Sequence, residues 1–266
     1  MEEKIVIKTE GLVKSYNGRI VLNNINLTVK KGETFVIIGG SGCGKSTLLR
    51  TMIGAIEPDK GKVLINGKDI IRASAKNKDV IKQNFGVLYQ NAALLNSLTV
   101  GQNVALPLKE HGRLDPKIID IVVKMKLELV GLTGFEDLMP AELSGGMKKR
   151  VGLARAIVMD PEIVFYDEPG AGLDPIVTAM IDKLMEDLSK KLAITSVVVT
   201  HKMESAYRVA SKIVMLYQGR IIEMGTPDEI KNTANPIVKQ FISGSYEGPI
   251  PLRRTADDYL KSLIGG

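Results

Sequence analysis

A glycine-rich stretch, GGSGCGKST from Gly39 to Thr47, constrains the fold more than any other part of this chain. It directly follows the apolar run 34–38, which is typical of a buried central strand, and a helical pattern begins at Lys45. Each glycine adds backbone entropy to the unfolded chain, so a cluster of glycines between a strand and a helix needs a reason. The stretch matches G-x-x-x-x-G-K-[ST] in the strand-to-helix context of a phosphate-binding loop.

The chemistry of such a loop assigns a role to each of its residues. Backbone N–H groups freed by the glycines can surround phosphate oxygens, and the positive end of the following helix attracts the same charge. Lys45 would reach the β and γ phosphates of a nucleotide, and the Ser46 hydroxyl would bind Mg²⁺. The residues expected to bind nucleotide here are Gly39, Gly40, Ser41, Gly42, Cys43, Gly44, Lys45, Ser46 and Thr47. The alternative is a glycine-rich turn without a ligand.

The pattern of the whole chain indicates an α/β fold with a helical insertion. Strand-like segments occur at 5–13, 21–29, 34–38, 62–65, 85–89, 162–166 and 193–200, and a closing hairpin is predicted at 212–225 through Gln218-Gly219. Leucine, lysine and methionine at helical spacing dominate between 91 and 159. We therefore predict a nucleotide-binding core from 1–90 and 160–240, a helical subdomain at 91–159, and a tail at 241–266.

Composition narrows the possible function classes. The chain has 266 residues with a net charge of +6, which is compatible with a nucleotide, a nucleic acid or an anionic membrane face as partner. The single cysteine, Cys43, allows no disulfide within the chain, and we interpret it as a passive space-filler in the loop. Two histidines without a cysteine cluster argue against zinc, and His111 is interpreted as a surface residue. No apolar run approaches the roughly 20 residues of a membrane helix, and the acidic start at 1–4 is unlike a signal peptide.

Two further motifs suggest more of the site. An apolar strand ends in Asp167 and Glu168; Asp167 would hold Mg²⁺ through its water ligands, and Glu168 would polarise an attacking water. The alternative for this acidic pair is a solvated turn. Ser144, Gly145 and Gly146 open a basic helix, where they offer a hydroxyl and free N–H donors to a second anion. The alternative there is an ordinary helix cap.

With these motifs in this order, the sequence resembles the ATP-binding subunit of ABC transporters over nearly its whole length. The resemblance implies a P-loop NTPase (RecA-like) core with an antiparallel β subdomain and an inserted helical subdomain. It also implies ATP and Mg²⁺ as ligands, and a dimer in which the signature of one subunit closes over nucleotide held by the other. Met147 and Gly172 depart from the commoner glutamine and alanine of the family's signature and D-loop. The resemblance implies that Tyr16 stacks on adenine, and that Gln90 is the Q-loop glutamine and contacts the metal. It implies that 143–147 form the signature, and that Asp167 and Glu168 form the Walker B pair. It also implies that 172–175 form the D-loop, which includes Asp174, and that His201 is the switch histidine.

A finer resemblance is to the ATPase of bacterial Mla-type phospholipid transport. It is carried by the segment 92–108, with Pro107 after an apolar run, and by the tail segment 241–251. It implies a separate permease, an MCE-domain lipid-binding subunit, an optional small accessory regulatory subunit, and a peripheral position on the cytoplasmic face of the inner membrane. The alternatives are an importer ATPase for amino acids or ions and a nucleic-acid-associated ABC ATPase. The latter class carries long coiled-coil insertions or two cassettes, which are missing here, so we expect no nucleic acid partner.

The tail carries the last prediction. The segment 244–251 contains glycine and proline and is predicted to be extended and poorly packed on its own subunit. A short helix at 255–264, with Tyr259, Leu260, Leu263 and Ile264 as an apolar stripe, would then contact the partner subunit.

Overall fold

Two β-sheets of different character form the framework of the protein. The structure, a computed structural model, describes residues 4–111 and 114–251. Within those residues a four-stranded sheet has the order β2-β1-β4-β5, and a six-stranded sheet has the order β10-β9-β3-β8-β7-β6. Their strands are β1 Ile5–Tyr16, β2 Arg19–Lys30, β3 Thr34–Ile38, β4 Lys60–Ile65, β5 Lys68–Asp69, β6 Phe85–Leu88, β7 Ile163–Asp167, β8 Thr195–Val199, β9 Lys212–Tyr217 and β10 Arg220–Gly225.

The six-stranded sheet forms the centre of the molecule. Strands β3, β6, β7, β8 and β9 are parallel, and β10 closes the edge as an antiparallel hairpin with β9. Side chains alternate between two cores: Val36 and Ile38 pack on one face, and Phe35 and Ile37 pack on the other. Burial on both faces explains why these strands are continuous apolar runs in the sequence. Because the strands are parallel, their carboxyl ends lie at one edge, where α/β proteins bind ligands.

Nine α-helices in the described residues cover these sheets and join them. They are α1 Lys45–Met52, α2 Ala75–Lys82, α3 Val100–His111, α4 Pro116–Leu129, α5 Gly145–Ala156, α6 Pro175–Leu192, α7 Met203–Val209, α8 Pro227–Lys231 and α9 Pro236–Ser243. A short 3-10 helix, Pro140–Glu142, precedes α5. Helices α3, α4 and α5 pack together, and α5 also packs on β6. No helix in the described parts of the chain is long and apolar enough to cross a membrane.

The predicted strands are present within a few residues of the predicted limits, and so is a helix that the pattern at 176–192 predicts before β8. Strands β1 and β2 run longer than predicted, to a tight turn at Asn17-Gly18. Helices α2, α7, α8 and α9 were not predicted. Their apolar faces are short, and caps such as Ser74 and Thr226, whose hydroxyls accept from N–H groups three residues on, help to start them.

The prediction for segment 244–251 was wrong in part: residues 244–249 are exposed, as predicted, but the segment bends and Ile250 packs on the core of its own subunit. Helix α9 runs past the predicted boundary at 241, and Gln240, buried in that helix, holds the following segment in place. Its amide oxygen accepts from the N–H of Ile250 at 2.6 Å, and its amide nitrogen donates to the Ile250 carbonyl at 3.2 Å. Ile250 packs against the core together with Phe241 and Ile242. The predicted stripe at 259–264 lies outside the described residues.

Candidate functional site

The glycine-rich loop leaves the carboxyl end of β3 and turns directly into α1. Gly39 and Gly44 have φ angles of 149° and 109°, in the region that favours glycine. A Cβ at Gly39 would lie 2.2 Å from the carbonyl oxygen of Leu216, and one at Gly44 would lie 2.7 Å from that of Val21. Both glycines are therefore required by close backbone approach, and Gly44 occupies the N-cap position of α1.

The side chains of Lys45 and Cys43 lie on opposite sides of the loop. The buried ammonium of Lys45 donates to the carbonyls of Gly39 at 2.8 Å and Gly40 at 3.0 Å, which places it across the mouth of the loop. The thiol of Cys43 is buried in the core cluster on the other side, and burial raises its pKa. Cys43 can therefore offer its backbone to a phosphate, while its side chain fills space, as the sequence indicates.

A single buried carboxylate faces the loop from β7. Asp167 is 5% exposed, and its Oδ1 atom has no hydrogen-bond partner. Burial raises the pKa of this carboxyl, an effect that the nearby cations Arg50, Lys149 and Lys45 oppose. Among the described residues, no cluster of three or more His, Cys, Asp or Glu side chains could hold a metal by itself. One buried carboxylate oxygen without a partner fits Mg²⁺, which is commonly held by one or two carboxylates with phosphate oxygens and water.

Glu168 and His201 meet at the ends of β7 and β8. The imidazole Nδ1 of His201 lies 2.9 Å from Oε1 of Glu168. Glu168 has a φ of 49°, and a left-handed residue with a Cβ costs about 1–2 kcal/mol. Its N–H donates to the carbonyl of Val199 at 2.9 Å, which fixes the backbone in this position. The geometry thus aims an acid away from the sheet with a histidine beside it.

Gln90 follows β6 at the same edge of the sheet. Its side chain is exposed, and its carbonyl accepts a hydrogen bond from the buried ammonium of Lys149 in α5. The same ammonium donates to the carbonyl of Glu168 at 3.1 Å. Burial lowers the pKa of Lys149 to about 8, and Asp167 and Glu168 oppose that effect. Gln90 and Glu168 are therefore joined through their backbones by one lysine.

The signature segment lies against the D-loop. The hydroxyl of Ser144 accepts from the N–H of Met147 at 3.3 Å and so caps α5. A Cβ on Gly145 would lie 3.3 Å from a methyl of Leu173, and one on Gly146 would lie 2.7 Å from a methyl of Val177. Within the described parts of the chain, no hydrogen bond or ion pair joins residues 144–146 to the phosphate loop of the same subunit.

Asp174 and Lys202 define the conformation of the D-loop. The exposed carboxylate of Asp174 accepts from the N–H groups of Ile176 and Val177, each at 2.9 Å, and caps α6. The ammonium of Lys202 donates to the carbonyl of Gly170 at 2.8 Å and to the hydroxyl of Thr178 at 3.1 Å. Since Lys202 directly follows His201, the D-loop and the histidine are mechanically connected.

Tyr16, expected to stack on adenine, ends β1 with 45% of its surface exposed. The ammonium of Lys14 lies 5.4 Å from the centre of its ring. Lys14 also donates to Asp59 at 2.9 Å, and Asp59 accepts from the N–H and the hydroxyl of Ser15 at 2.6 Å each. These contacts, chiefly the hydrogen bond from Ser15, lower the pKa of Asp59 to about 2. Tyr16 is thus exposed at the surface, with the ammonium of Lys14 over its ring.

A groove of about 450 Å³ lies on the far side of Gln90, between the segment after β6 and helix α3. Two parts of the segment 92–108 contribute to it, one near Leu95 and one near Leu106. Its lining includes Tyr89, Ala93, Leu95, Leu106, Pro107 and Arg155, and His111 lies at the same groove.

Sequence reasoning missed Lys149, Lys202 and Arg155. The run Lys148-Lys149-Arg150 was interpreted only as a basic helix. A signal was available for Lys149, since it shares a helix face with the small residues Gly152 and Ala156 at spacings of three and four. Lys202 and Arg155 donate to backbone carbonyls of residues that are distant in the sequence, and local sequence patterns do not predict such hydrogen bonds.

Comparison of the sequence with protein-family models identifies the family to which these motifs belong. The family model described as "ABC transporter" matches residues 22–171, which is more than half of the chain. The chain belongs to the ABC transporter family. As an ATP-binding cassette of this family it is an ATPase, and the α/β fold and family predicted from the motifs are confirmed.

Curated members of the ABC transporter family resemble the chain over most of its length. It is 38% identical to the intermembrane phospholipid transport system ATP-binding protein MlaF of Haemophilus influenzae, covering 97% of this chain and 98% of that protein. It is 40% identical to MlaF of Escherichia coli K12, covering 93% and 92%. It is also 39% identical to a probable ribonucleotide transport ATP-binding protein, mkl, of Mycobacterium leprae, covering 96% of this chain and 73% of that protein.

Solved ABC cassettes share the fold. A dimeric post-hydrolysis state of the cassette MJ0796 bound to ADP and phosphate has a TM-score of 0.77 at 29% identity, covering 83% of this chain and 98% of that chain. The cassette cbiO1 of Clostridium perfringens, part of the transporter complex cbiONQ, has a TM-score of 0.80 at 30% identity, covering 98% and 100%.

Proposed function

We propose that this chain is the ATP-hydrolysing subunit of a phospholipid transporter, working as a dimer at the cytoplasmic face of the inner membrane with a separate permease. The observation that carries the substrate class is identity of 38–40% to the MlaF proteins over more than nine-tenths of both chains. Ribonucleotide transport is the second candidate, favoured by the mycobacterial relatives at 39% identity. Those relatives are matched over less of their own length, which is why phospholipid is proposed first.

The loop residues Gly39, Gly40, Ser41, Gly42, Cys43, Gly44, Lys45, Ser46 and Thr47 hold the ATP phosphates in this proposal. The ammonium of Lys45 already lies across the loop, so phosphate oxygens replace the carbonyls of Gly39 and Gly40 as its partners. Tyr16 stacks on the adenine. Ser46, Gln90 and Asp167 would hold Mg²⁺, which would supply positive charge beside the phosphates.

Glu168 acts as the base that orients the attacking water. Its carboxylate is nearly buried and its backbone is fixed at both the N–H and the carbonyl, so its orientation is preorganised. His201 holds Oε1 of that carboxylate and extends to the γ phosphate. A water bonded to Glu168 would then be in line with the phosphate held by Lys45, which is the positioning that phosphoryl transfer depends on.

The signature completes the site of the second subunit. Ser144, Gly145 and Gly146 offer a hydroxyl and N–H groups at the start of α5, yet they contact the D-loop side of their own chain. A site on the partner subunit gives these donors a phosphate to bind. Asp174, exposed at the start of α6, contributes to the same interface.

The groove beside Gln90 receives a helix of the permease. Its largely apolar lining fits an amphipathic helix laid in a groove, and the segment after Gln90 forms one wall. An MCE-domain lipid-binding subunit and a small accessory regulatory subunit complete the assembly in this proposal. Nucleic acid has no place in it.

Reconstitution tests the proposal. The chain is purified with its co-expressed permease, placed in liposomes with a labelled phospholipid, and supplied with Mg²⁺-ATP; phospholipid movement to acceptor vesicles is measured. Movement with wild type and none with Glu168→Gln is expected. Uptake of a labelled ribonucleotide without phospholipid movement would support the second candidate, and failure to hydrolyse ATP would reject both.

A further inference from the structure

Lys149 is a buried lysine at the centre of the candidate site, and the family motifs assign it nothing. It is 4% exposed and lies one turn after the signature residues in α5. A buried ammonium is costly unless its donors are satisfied. Its partners are the carbonyls of Gln90 and Glu168, at positions 59 and 19 residues away in the chain.

These two carbonyls belong to the two segments that must cooperate in the reaction. Gln90 follows β6, Glu168 follows β7, and these strands are neighbours in the sheet. The hydrogen bonds from Lys149 fix the distance between the two backbones and attach both to α5. Lys149 bonds the backbone carbonyl of Glu168, whereas the side-chain carboxylate of Glu168 is contacted by His201.

A second cation in α5 extends this attachment toward the groove. The guanidinium of Arg155 donates to the carbonyls of Ala92 at 2.6 Å and Ala93 at 2.7 Å. Both alanines are left-handed, with φ angles of 57° and 47°, so this segment is held in a conformation that costs free energy. Helix α5 therefore holds the chain after Gln90 at two points.

We propose that Lys149 is a positioning residue for ATP hydrolysis, which holds Gln90 and Glu168 in register with each other and with the signature helix. It touches neither the nucleotide nor the water. It acts through the backbones of the two residues that do, so a displacement of α5 is transmitted to both together. The inference rests on the ATPase function and on the roles proposed above for Gln90 and Glu168.

Steady-state ATPase kinetics and separate ATP-binding measurements on Lys149→Met test this role. The methionine side chain has similar length and no donor, so the carbonyls lose their link while the volume is nearly kept. We expect kcat to fall by about 100-fold, the loss that a misplacement of about 1 Å can cause. The dissociation constant for ATP should stay near that of wild type, because the phosphate loop is intact. Lys149→Arg, which retains a cationic donor, should recover most of the lost kcat.

Lys126→Met is the matched control. Lys126 is also buried, at 7% exposure, and pairs with Asp160 away from the site, so its loss removes a buried ammonium without touching Gln90 or Glu168. It should leave kcat near wild type. Wild-type kcat in folded Lys149→Met, or an equal loss in Lys126→Met, overturns the proposal. If Lys149→Met does not fold, Lys149→Gln replaces it, since glutamine is too short to span both carbonyls. An inactive wild type would instead reject the proposed function itself.

Discussion

His201 Nδ1 and Glu168 Oε1 lie 2.9 Å apart, across the ends of two neighbouring strands. The imidazole is the exposed member, with 57% of its side chain open to solvent, whereas 12% of the glutamate side chain is exposed. The pair is thus anchored by the glutamate, whose backbone is fixed, and adjustable at the histidine. In the proposed mechanism this arrangement would separate the two roles: Glu168 would set the position of the water, and His201 would respond to the phosphate.

The first prediction concerns this pair. Glu168→Gln should retain ATP and Mg²⁺ binding while turnover falls by roughly 10²–10⁴-fold, the usual contribution of a general base. Dimers should accumulate with ATP, because hydrolysis would otherwise separate them. Single-turnover hydrolysis and ATP binding on the same sample check this. In contrast, Lys45→Ala should weaken binding itself; wild-type turnover in Glu168→Gln would mean that another group orients the water.

Much of this site could be predicted from the sequence because its residues follow strands that are individually easy to predict. Asp167 and Glu168 end an apolar run, and His201 comes after another. Parallel strands place their carboxyl ends at one edge, so residues far apart in the sequence must meet there. The glycines gave an equally local signal, since Gly39 and Gly44 each lie where a Cβ would overlap a carbonyl.

The contacts that fix these residues could not be predicted in the same way. Lys149 and Lys202 donate to backbone carbonyls. Because every residue has a backbone carbonyl, the sequence does not show which carbonyl a lysine will bind. The glycines and prolines after α9 indicated an extended segment, but Gln240 supplies tertiary hydrogen bonds that local composition does not reveal. Local propensity therefore failed where a single buried polar side chain decided the conformation.

The second prediction concerns the groove. Leu95 is 46% exposed at its wall, and Leu95→Glu should uncouple ATP hydrolysis from transport by placing a charge where an apolar permease helix would lie. Nucleotide affinity should not change. Leu114→Glu is the matched control, since Leu114 is 44% exposed and is absent from the groove lining. Transport and ATPase are measured in the reconstituted complex; unchanged transport in stable Leu95→Glu would place docking elsewhere.

The third prediction concerns Lys202 and the D-loop. Lys202→Met removes the ammonium that donates to the Gly170 carbonyl and the Thr178 hydroxyl. A hydrogen bond from a charged group is worth about 1.5–3 kcal/mol. The D-loop should loosen, and the fraction of ATP-trapped dimer in the Glu168→Gln background should fall. Sedimentation with ATP measures this fraction. Lys183→Met, which removes an exposed lysine from the middle of α6, should leave it unchanged; equal fractions in all three proteins would contradict the link.

The fourth prediction concerns Cys43. Burial raises the pKa of its thiol, so less thiolate is present at neutral pH than in an unfolded chain, and alkylation should be slow. The rate should rise as pH increases and should rise sharply on denaturation. Because the thiol faces the core, bound ATP should protect it only by making the loop open less often. Timed iodoacetamide labelling with mass detection checks this; labelling as fast as in the denatured protein would place the thiol at the surface.

The last prediction concerns Gln240 and the segment it holds. Gln240→Leu keeps most of the side-chain volume but removes the bonds to the N–H and carbonyl of Ile250. Losing these two half-buried hydrogen bonds should cost about 0.5–1.5 kcal/mol each, and the segment 244–251 should become more accessible to protease. ATPase activity should remain, because in the described structure the hydrogen bonds that hold this segment come from Gln240 and not from a candidate site residue. Lys239→Leu, on the exposed side of the same helix, should leave both thermal stability and cleavage near wild type. Protection of 244–251 in Gln240→Leu equal to that in wild type would mean that apolar packing of Ile250, rather than the amide, holds the segment to its own subunit.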